Sequence, residues 1–254
     1  MIEIRDLTKR YGDFTAVDHL TLTAAAGEIF GFLGPNGAGK TSTIRIIAGL
    51  SLPTSGTVHV NGVDVVAEPV RAKAVLGYVP DRPYLYEKLT GRELLHFVAD
   101  LYRKDWRTCE PRAVELLRYF DLGDWIDARI ENLSHGMKQK LVLTSALVHD
   151  PSVLVIDEPM VGLDALAQRQ VRELFRGLAR EGKTVFLTTH TLSVAEAVCD
   201  RIAIINRGRI VGSGTTAELK KDAALEDAFL ALTYDDVATG FSPSHRGLKP
   251  APHS

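Results

Sequence analysis

Short apolar runs alternate with turns over the first 80 residues. Ile2 and Ile4, Leu20 and Leu22, and Val58 and Val60 each repeat with a period of two, which predicts half-buried strands. The run Ile29-Phe30-Gly31-Phe32-Leu33 is apolar on both faces, as a buried parallel strand is. A helix is predicted to follow, from about Lys40 to Ala48. From Thr90 to His149 the pattern turns mostly helical. Thr90 and Glu93 have the spacing of a capping box at the start of one helix, and Pro111 is placed near the start of a second, where its missing N–H costs little. After Asp150, strands and helices alternate. Val153–Ile156, Val185–Thr188 and Arg201–Asn206 read as strands, while Leu163, Ala167, Val171, Leu174 and Leu178 follow helical spacing. Arg209–Ser213 reads as a closing strand and Leu225–Leu232 as a short helix. From Thr233 onward about a third of the positions are Gly, Pro or Ser, which predicts a disordered tail over 233–254. The order implies a parallel-sheet core, an antiparallel β patch near the N-terminus and a helical insertion over about 82–150. Ligands in such sheets bind at the carboxyl ends of the strands.

Composition narrows this only a little. The 254 residues are 45% hydrophobic and 24% charged, values of a globular chain. Thirty basic and 32 acidic residues leave a net charge of −2, which argues against a general nucleic-acid or polybasic membrane binder. Cys109 and Cys199 are the only cysteines, so a disulfide framework is not expected and a reducing compartment is. No apolar run approaches the ~20 residues that span a bilayer, and M-I-E-I-R-D-L lacks the apolar core of a signal peptide.

Three segments carry chemistry. The first is G-P-N-G-A-G-K-T, comprising Gly34, Pro35, Asn36, Gly37, Ala38, Gly39, Lys40 and Thr41, with Ser42 next in line. It lies between a predicted strand and a predicted helix. Its glycines let backbone N–H groups turn inward around phosphate oxygens, and the helix N-terminus adds partial positive charge. Lys40 is placed to reach the β- and γ-phosphates, and Thr41 to give its hydroxyl oxygen to Mg²⁺. The second is V-L-V-I-D-E-P, a buried strand whose end presents Asp157 and Glu158. Asp157 is assigned to Mg²⁺ and Glu158 to activation of the attacking water. The third is L-S-H-G-M-K-Q, which opens an apolar helix before the Asp157 strand. Ser134 has the form of an N-cap, and its place between the other two segments also suits a nucleotide contact.

With these residues in hand, the chain resembles the nucleotide-binding subunit of ABC transporters over about residues 1–232. The S-H-G-M-K-Q-K version of the family signature, usually L-S-G-G-Q, is similar to that of the ABC-2-type exporter group. The resemblance implies an α/β fold: a P-loop NTPase core with a mainly parallel sheet, an N-terminal antiparallel β subdomain and an inserted helical subdomain. It implies ATP and Mg²⁺ as cofactors and a dimer in which Ser134 and Gly136 of one subunit cover the ATP of the other. Tyr11 matches the aromatic that stacks on adenine. Gly162-Leu163-Asp164 matches the loop that crosses the dimer interface, with Asp164 also suited to cap the next helix. His190 matches the histidine that contacts the γ-phosphate. The family usually has glutamine where this chain has Asp81. A carboxylate there can still bind Mg²⁺ through oxygen, so Asp81 is kept among the catalytic and metal residues with that departure noted.

Two features stay open. Pro83-Tyr84-Leu85-Tyr86 falls where the family docks a helix of its membrane subunit, but both tyrosines could instead pack on the helical insertion. Lys138 and Lys140 read first as a solvated helix face and second as an aid to triphosphate approach. The expected partners are a separate transmembrane permease subunit and a second ATPase subunit, at the cytoplasmic face of the membrane, with export as the expected direction. No nucleic-acid partner is expected. A soluble ABC-type ATPase in nucleic-acid or ribosome-associated work is the alternative, but this chain shows one nucleotide domain, no heptad run and no basic patch.

Overall fold

The computed structural model describes residues 1–82 and 84–219. Pro83, the expected Leu225–Leu232 helix and the expected tail lie outside these. The first layer is an antiparallel sheet of four strands in the order β2-β1-β4-β5, with β1 Ile2–Tyr11, β2 Phe14–Ala24, β4 Ser55–Val60 and β5 Val63–Asp64. The second is a six-stranded sheet. It comprises β3 Ile29–Leu33, β6 Leu76–Val79, β7 Val153–Asp157, β8 Thr184–Thr189, β9 Arg201–Asn206 and β10 Arg209–Thr215, in the order β10-β9-β3-β8-β7-β6. Its first five strands in chain order run parallel, and β10 closes the edge antiparallel to β9. The helices are α1 Lys40–Ile47, α2 Pro69–Ala74, α3 Gly91–Leu101, α4 Trp106–Tyr119, α5 His135–Leu147, α6 Ala165–Arg180, α7 Leu192–Val198 and α8 Thr216–Leu219.

Strand alternation sorts the large sheet's side chains into two cores. Ile29 and Leu33 of β3, Leu154 and Ile156 of β7, and Val185 and Leu187 of β8 join the helical side, with α3, α4, α5 and α6. Phe30 and Phe32, Val153 and Val155, and Phe186 face the other way, onto α1 and the antiparallel sheet. Phe30 and Phe186 stack at 5.5 Å with ring planes 9° apart. Helix α1 is thus held between the sheets by Ile44, Ile46 and Ile47. Gly31 lets α7 come close, since a Cβ there would lie 2.7 Å from Cys199 Sγ. Both cysteines are free and buried.

Helices α3, α4 and α5 lie between β6 and β7 in the chain, as the helical insertion requires. Thr90 and Glu93 form the expected capping box on α3. Pro111 departs from expectation. It is the sixth residue of α4, whose start is set five residues earlier by the Asp105 side chain accepting from the Arg107 N–H at 2.9 Å. Pro111 therefore removes one bond within the helix, the one that would end on the Arg107 carbonyl. Both residues are exposed, so water can reach that carbonyl.

Candidate nucleotide site

The carboxyl ends of β3, β6 and β7 open into one cavity of about 300 Å³. Tyr11, Phe14, Ala16, Pro35, Asn36, Gly37, Gly39, Lys40, Thr41, Ser42, Asp81, Asp157 and Glu158 line it. The phosphate loop joins β3 to α1, and its turn uses left-handed backbone at Gly37 (φ 80°) and Gly39 (φ 111°). Gly39 has a second reason to be glycine: a Cβ would collide with the Ala16 carbonyl. Gly34 and Ala38 are buried and shape the loop from behind. Lys40 is buried, and its ammonium donates to the carbonyls of Gly34 at 2.5 Å and Pro35 at 3.1 Å. Burial pulls its pKa below the ordinary lysine value, opposed by the charges of Glu158 and Asp157. The loop thus holds its own lysine through two of its carbonyls.

Asp157 ends β7 in register with Thr188 of β8, and the Thr188 hydroxyl donates to Asp157 Oδ1. Burial pushes the Asp157 carboxyl above its usual range; the Thr188 bond works against this, and the charges of Asp81 and Glu158 add to it. Three carboxylates therefore share a cavity with one lysine. Among the described residues no three acidic or histidine side chains come close enough to hold a metal by themselves, so a hard divalent cation among Thr41, Asp81 and Asp157 would complete its oxygen shell from phosphate and water.

Glu158 breaks from the strand with φ 52°, an uncommon conformation for a residue with a Cβ. Its N–H donates to the Thr188 carbonyl at 3.1 Å. Its Oε1 lies 2.7 Å from His190 Nδ1. His190 follows β8 and does not line the cavity; it reaches the site through Glu158. At the other end, Tyr11 and Phe14 pair in register across a two-residue turn, and both are exposed. A hydrogen bond with Ser42 holds the Tyr11 phenol below its ordinary pKa, and Lys9 Nζ sits 4.8 Å from the ring centroid.

The remaining expected residues lie elsewhere. Ser134 caps α5 by accepting from the Met137 N–H at 3.3 Å, and Asp164 caps α6 by accepting from the Ala167 N–H at 2.8 Å. Neither they nor Gly136 line the cavity. The two lysines of α5 are not a free cationic face: Lys138 pairs with Glu87 at 2.7 Å and Lys140 donates to the Phe120 carbonyl at 3.2 Å. The two tyrosines divide between the readings. Tyr86 packs edge-on against Phe97 of α3 at 5.6 Å, whereas Tyr84 is fully exposed. Sequence reasoning missed Phe14 and Ala16 as cavity walls, although Phe14 stands across the turn from Tyr11. It also missed Thr188 and the Glu158–His190 pair, which depend on strand register.

A family model described as "ABC transporter" matches residues 17–161. The chain belongs to the ABC transporter family of ATP-binding domains. It is 41% identical over 213 residues to the Nod factor export ATP-binding protein I of Rhizobium meliloti, covering 84% of this chain. The chain spans less than two thirds of that relative's length, 64%. A solved ATP-binding subunit of an ABC transporter superposes with a TM-score of 0.86 at 32% identity, covering 91% of this chain and 99% of the other. A bacterial ABC transporter cassette solved as a dimer superposes with a TM-score of 0.76 at 26% identity, covering 85% and 99%. As an ABC ATP-binding domain, the chain has its phosphate loop on β3–α1 and its helical insertion between β6 and β7. No helix among the described residues is long and apolar enough to cross a membrane.

Proposed function

We propose that this ABC domain, residues 1–232, binds MgATP, dimerises around it and hydrolyses it to drive a separate membrane permease. The supporting observation is the single cavity that joins Lys40, Thr41, Asp157 and Glu158 with the aromatic residue Tyr11. The base stacks on Tyr11. The triphosphate runs along Gly34–Ser42, where backbone N–H groups and the Lys40 ammonium receive it. Thr41, Asp157 and Asp81 would hold Mg²⁺, which when bound neutralises phosphate charge. Water attacks the γ-phosphorus and the bond to the ADP oxygen breaks, while Glu158 accepts the water's proton. The His190 Nδ1–H holds the Glu158 carboxylate and disperses its charge, so the two act as a unit.

Ser134 and Asp164, exposed, and Gly136, half-buried, lie outside the cavity and serve a second subunit's nucleotide. Two subunits then close only when phosphate charge bridges them, and hydrolysis removes that bridge. The permease docks on Tyr84 and the neighbouring apolar surface, placing the domain at the cytoplasmic face of the membrane. Export is the direction that the Nod factor relative suggests. Glu158→Gln tests the reading. It should keep ATP affinity, slow hydrolysis by roughly 10²–10⁴-fold and accumulate an ATP-dependent dimer on size-exclusion chromatography. Wild-type turnover in that variant would sink the assignment.

A further inference from the structure

The phosphate loop is gripped from behind by a turn far from it in sequence. Arg207 and Gly208 join β9 to β10, with Asn206 and Arg209 paired across them. Both turn residues are left-handed, Arg207 at φ 48° and Gly208 at φ 82°, as the tightest hairpin turns require. Gly208 is buried, and its two peptide groups bridge the two sheets' elements. Its N–H donates to the Ala38 carbonyl of the phosphate loop at 2.9 Å, and its carbonyl accepts from the Asp18 N–H of β2 at 2.9 Å. Arg209 fastens the same joint: its Nε and Nη2 donate to Asp18 Oδ2 at 2.7 Å and 2.6 Å. The Ala16 carbonyl crowds the turn as well, since a Cβ at Gly208 would lie 3.0 Å from that oxygen.

Peptide geometry carries this grip into the cavity. In a trans peptide the C=O and the following N–H point in opposite directions. With the Ala38 carbonyl turned to Gly208, the Gly39 N–H faces the other way, toward the cavity that Gly39 lines. We infer that the Gly208–Arg209 turn is a positioning element for nucleotide binding, which aims the Gly39 N–H at the β-phosphate. The inference rests on the reading of the cavity as an ATP site. Neither residue lines that cavity. Gly208 acts through Ala38, and Arg209 acts through Asp18 by keeping the turn seated. The Arg209 side chain is exposed, so its removal costs the fold little.

The test uses the full chain as wild type, Arg209→Ala, Arg209→Lys, Gly208→Ala and Lys40→Ala, each checked by a thermal melt. ADP and AMP are titrated by ligand-observed NMR, and ATPase rate is followed against ATP concentration. Arg209→Ala should weaken ADP binding by about 2–5-fold, the value of one exposed ion pair. AMP, which has no β-phosphate, should bind as it does to wild type. KM for ATP should rise by a similar factor with kcat unchanged, because the contact holds phosphate equally in the ground and transition states. Arg209→Lys should recover most of the ADP affinity. Gly208→Ala should show the same split more strongly, by about 5–30-fold, because alanine is forced into left-handed backbone. If Gly208→Ala does not fold, Arg209→Ala decides alone. Equal losses for ADP and AMP in Arg209→Ala mark general damage and overturn the inference, as does an Arg209→Lys no better than Arg209→Ala. Wild-type ADP affinity in Arg209→Ala, with affinity lost in Lys40→Ala, brings down the inference alone. Wild-type ADP affinity in Lys40→Ala brings down the ATP-site reading and the inference with it.

Discussion

His149 makes acidification a quantitative probe of the joint between the helical insertion and the large sheet. It is 2% exposed, just beyond α5. Its ring stacks on Tyr102, which follows α3, at 3.5 Å between centroids and 11° between planes. Nε2 lies 3.2 Å from the carbonyl of Leu76, the first residue of β6, so the neutral ring donates there. Nδ1 is buried and has no hydrogen-bond partner among the described residues. A second proton would need an acceptor at Nδ1, and Lys104 and Arg112 add repulsion. Burial, the largest cause, lowers the pKa from 6.5 to about 4. Above pH 6.5 the ring is neutral folded or unfolded, and stability does not depend on it. Between 6.5 and about 4 the unfolded chain binds the proton and the native one does not, so stability falls with pH. Each unit is worth about 1.4 kcal/mol, so the full window costs about 3 kcal/mol and the span from pH 6.5 to 5.0 about 2 kcal/mol. Urea unfolding from pH 7.5 to 5.0, wild type against His149→Gln, isolates this histidine, because glutamine can still donate to Leu76 but does not titrate. The wild-type curve should lose about 2 kcal/mol more than the variant over that span. Parallel pH profiles for the two proteins would refute the buried, neutral state.

The remaining predictions concern the cavity. Lys40→Ala should weaken ATP binding by about 10–100-fold, the value of a lost charge-assisted contact or somewhat more, measured by calorimetric titration; unchanged affinity would count against the phosphate-loop reading. Thr188→Val removes the hydroxyl that stabilises the Asp157 carboxylate, at a cost of about 1–3 kcal/mol in thermal stability for an unsatisfied buried acceptor. The same change raises the Asp157 pKa further, so the acid limb of the ATPase profile should move to higher pH; an unmoved limb would separate Asp157 from the activity.

The residues that chemistry demands at short spacing were legible in the sequence, and the contacts that depend on register were not. Gly34–Thr41 and Val153–Glu158 announce themselves because a phosphate loop and a carboxylate-tipped strand are each built from consecutive residues. The alternation of Ile29, Phe30, Phe32 and Leu33 told that the strand was buried on both sides, but not which core each side would meet. Thr188 and Asp157 are 31 residues apart, and His190 and Glu158 are 32 apart; only the parallel pairing of β7 with β8 brings them together. Pro111 was misplaced for a related reason. Proline marks a tolerated helix start, but the Asp105 cap is the stronger signal, and a lost bond at an exposed position is cheap enough for the helix to begin a turn earlier. His135 is the sharpest case. Read alone it was a departure from a signature. In the structure its ring lies against Gly162, whose φ of 77° already favours glycine. Departures from a family pattern are therefore informative when the structure supplies the neighbour that explains them. Asp81, which lines the cavity beside Asp157, is the second such position: its charge adds to the surplus that a cation would relieve. A neutral glutamine there would lessen that surplus, so on the proposed MgATP reading the wild-type ATPase should lose more activity on magnesium depletion than an Asp81→Gln variant does.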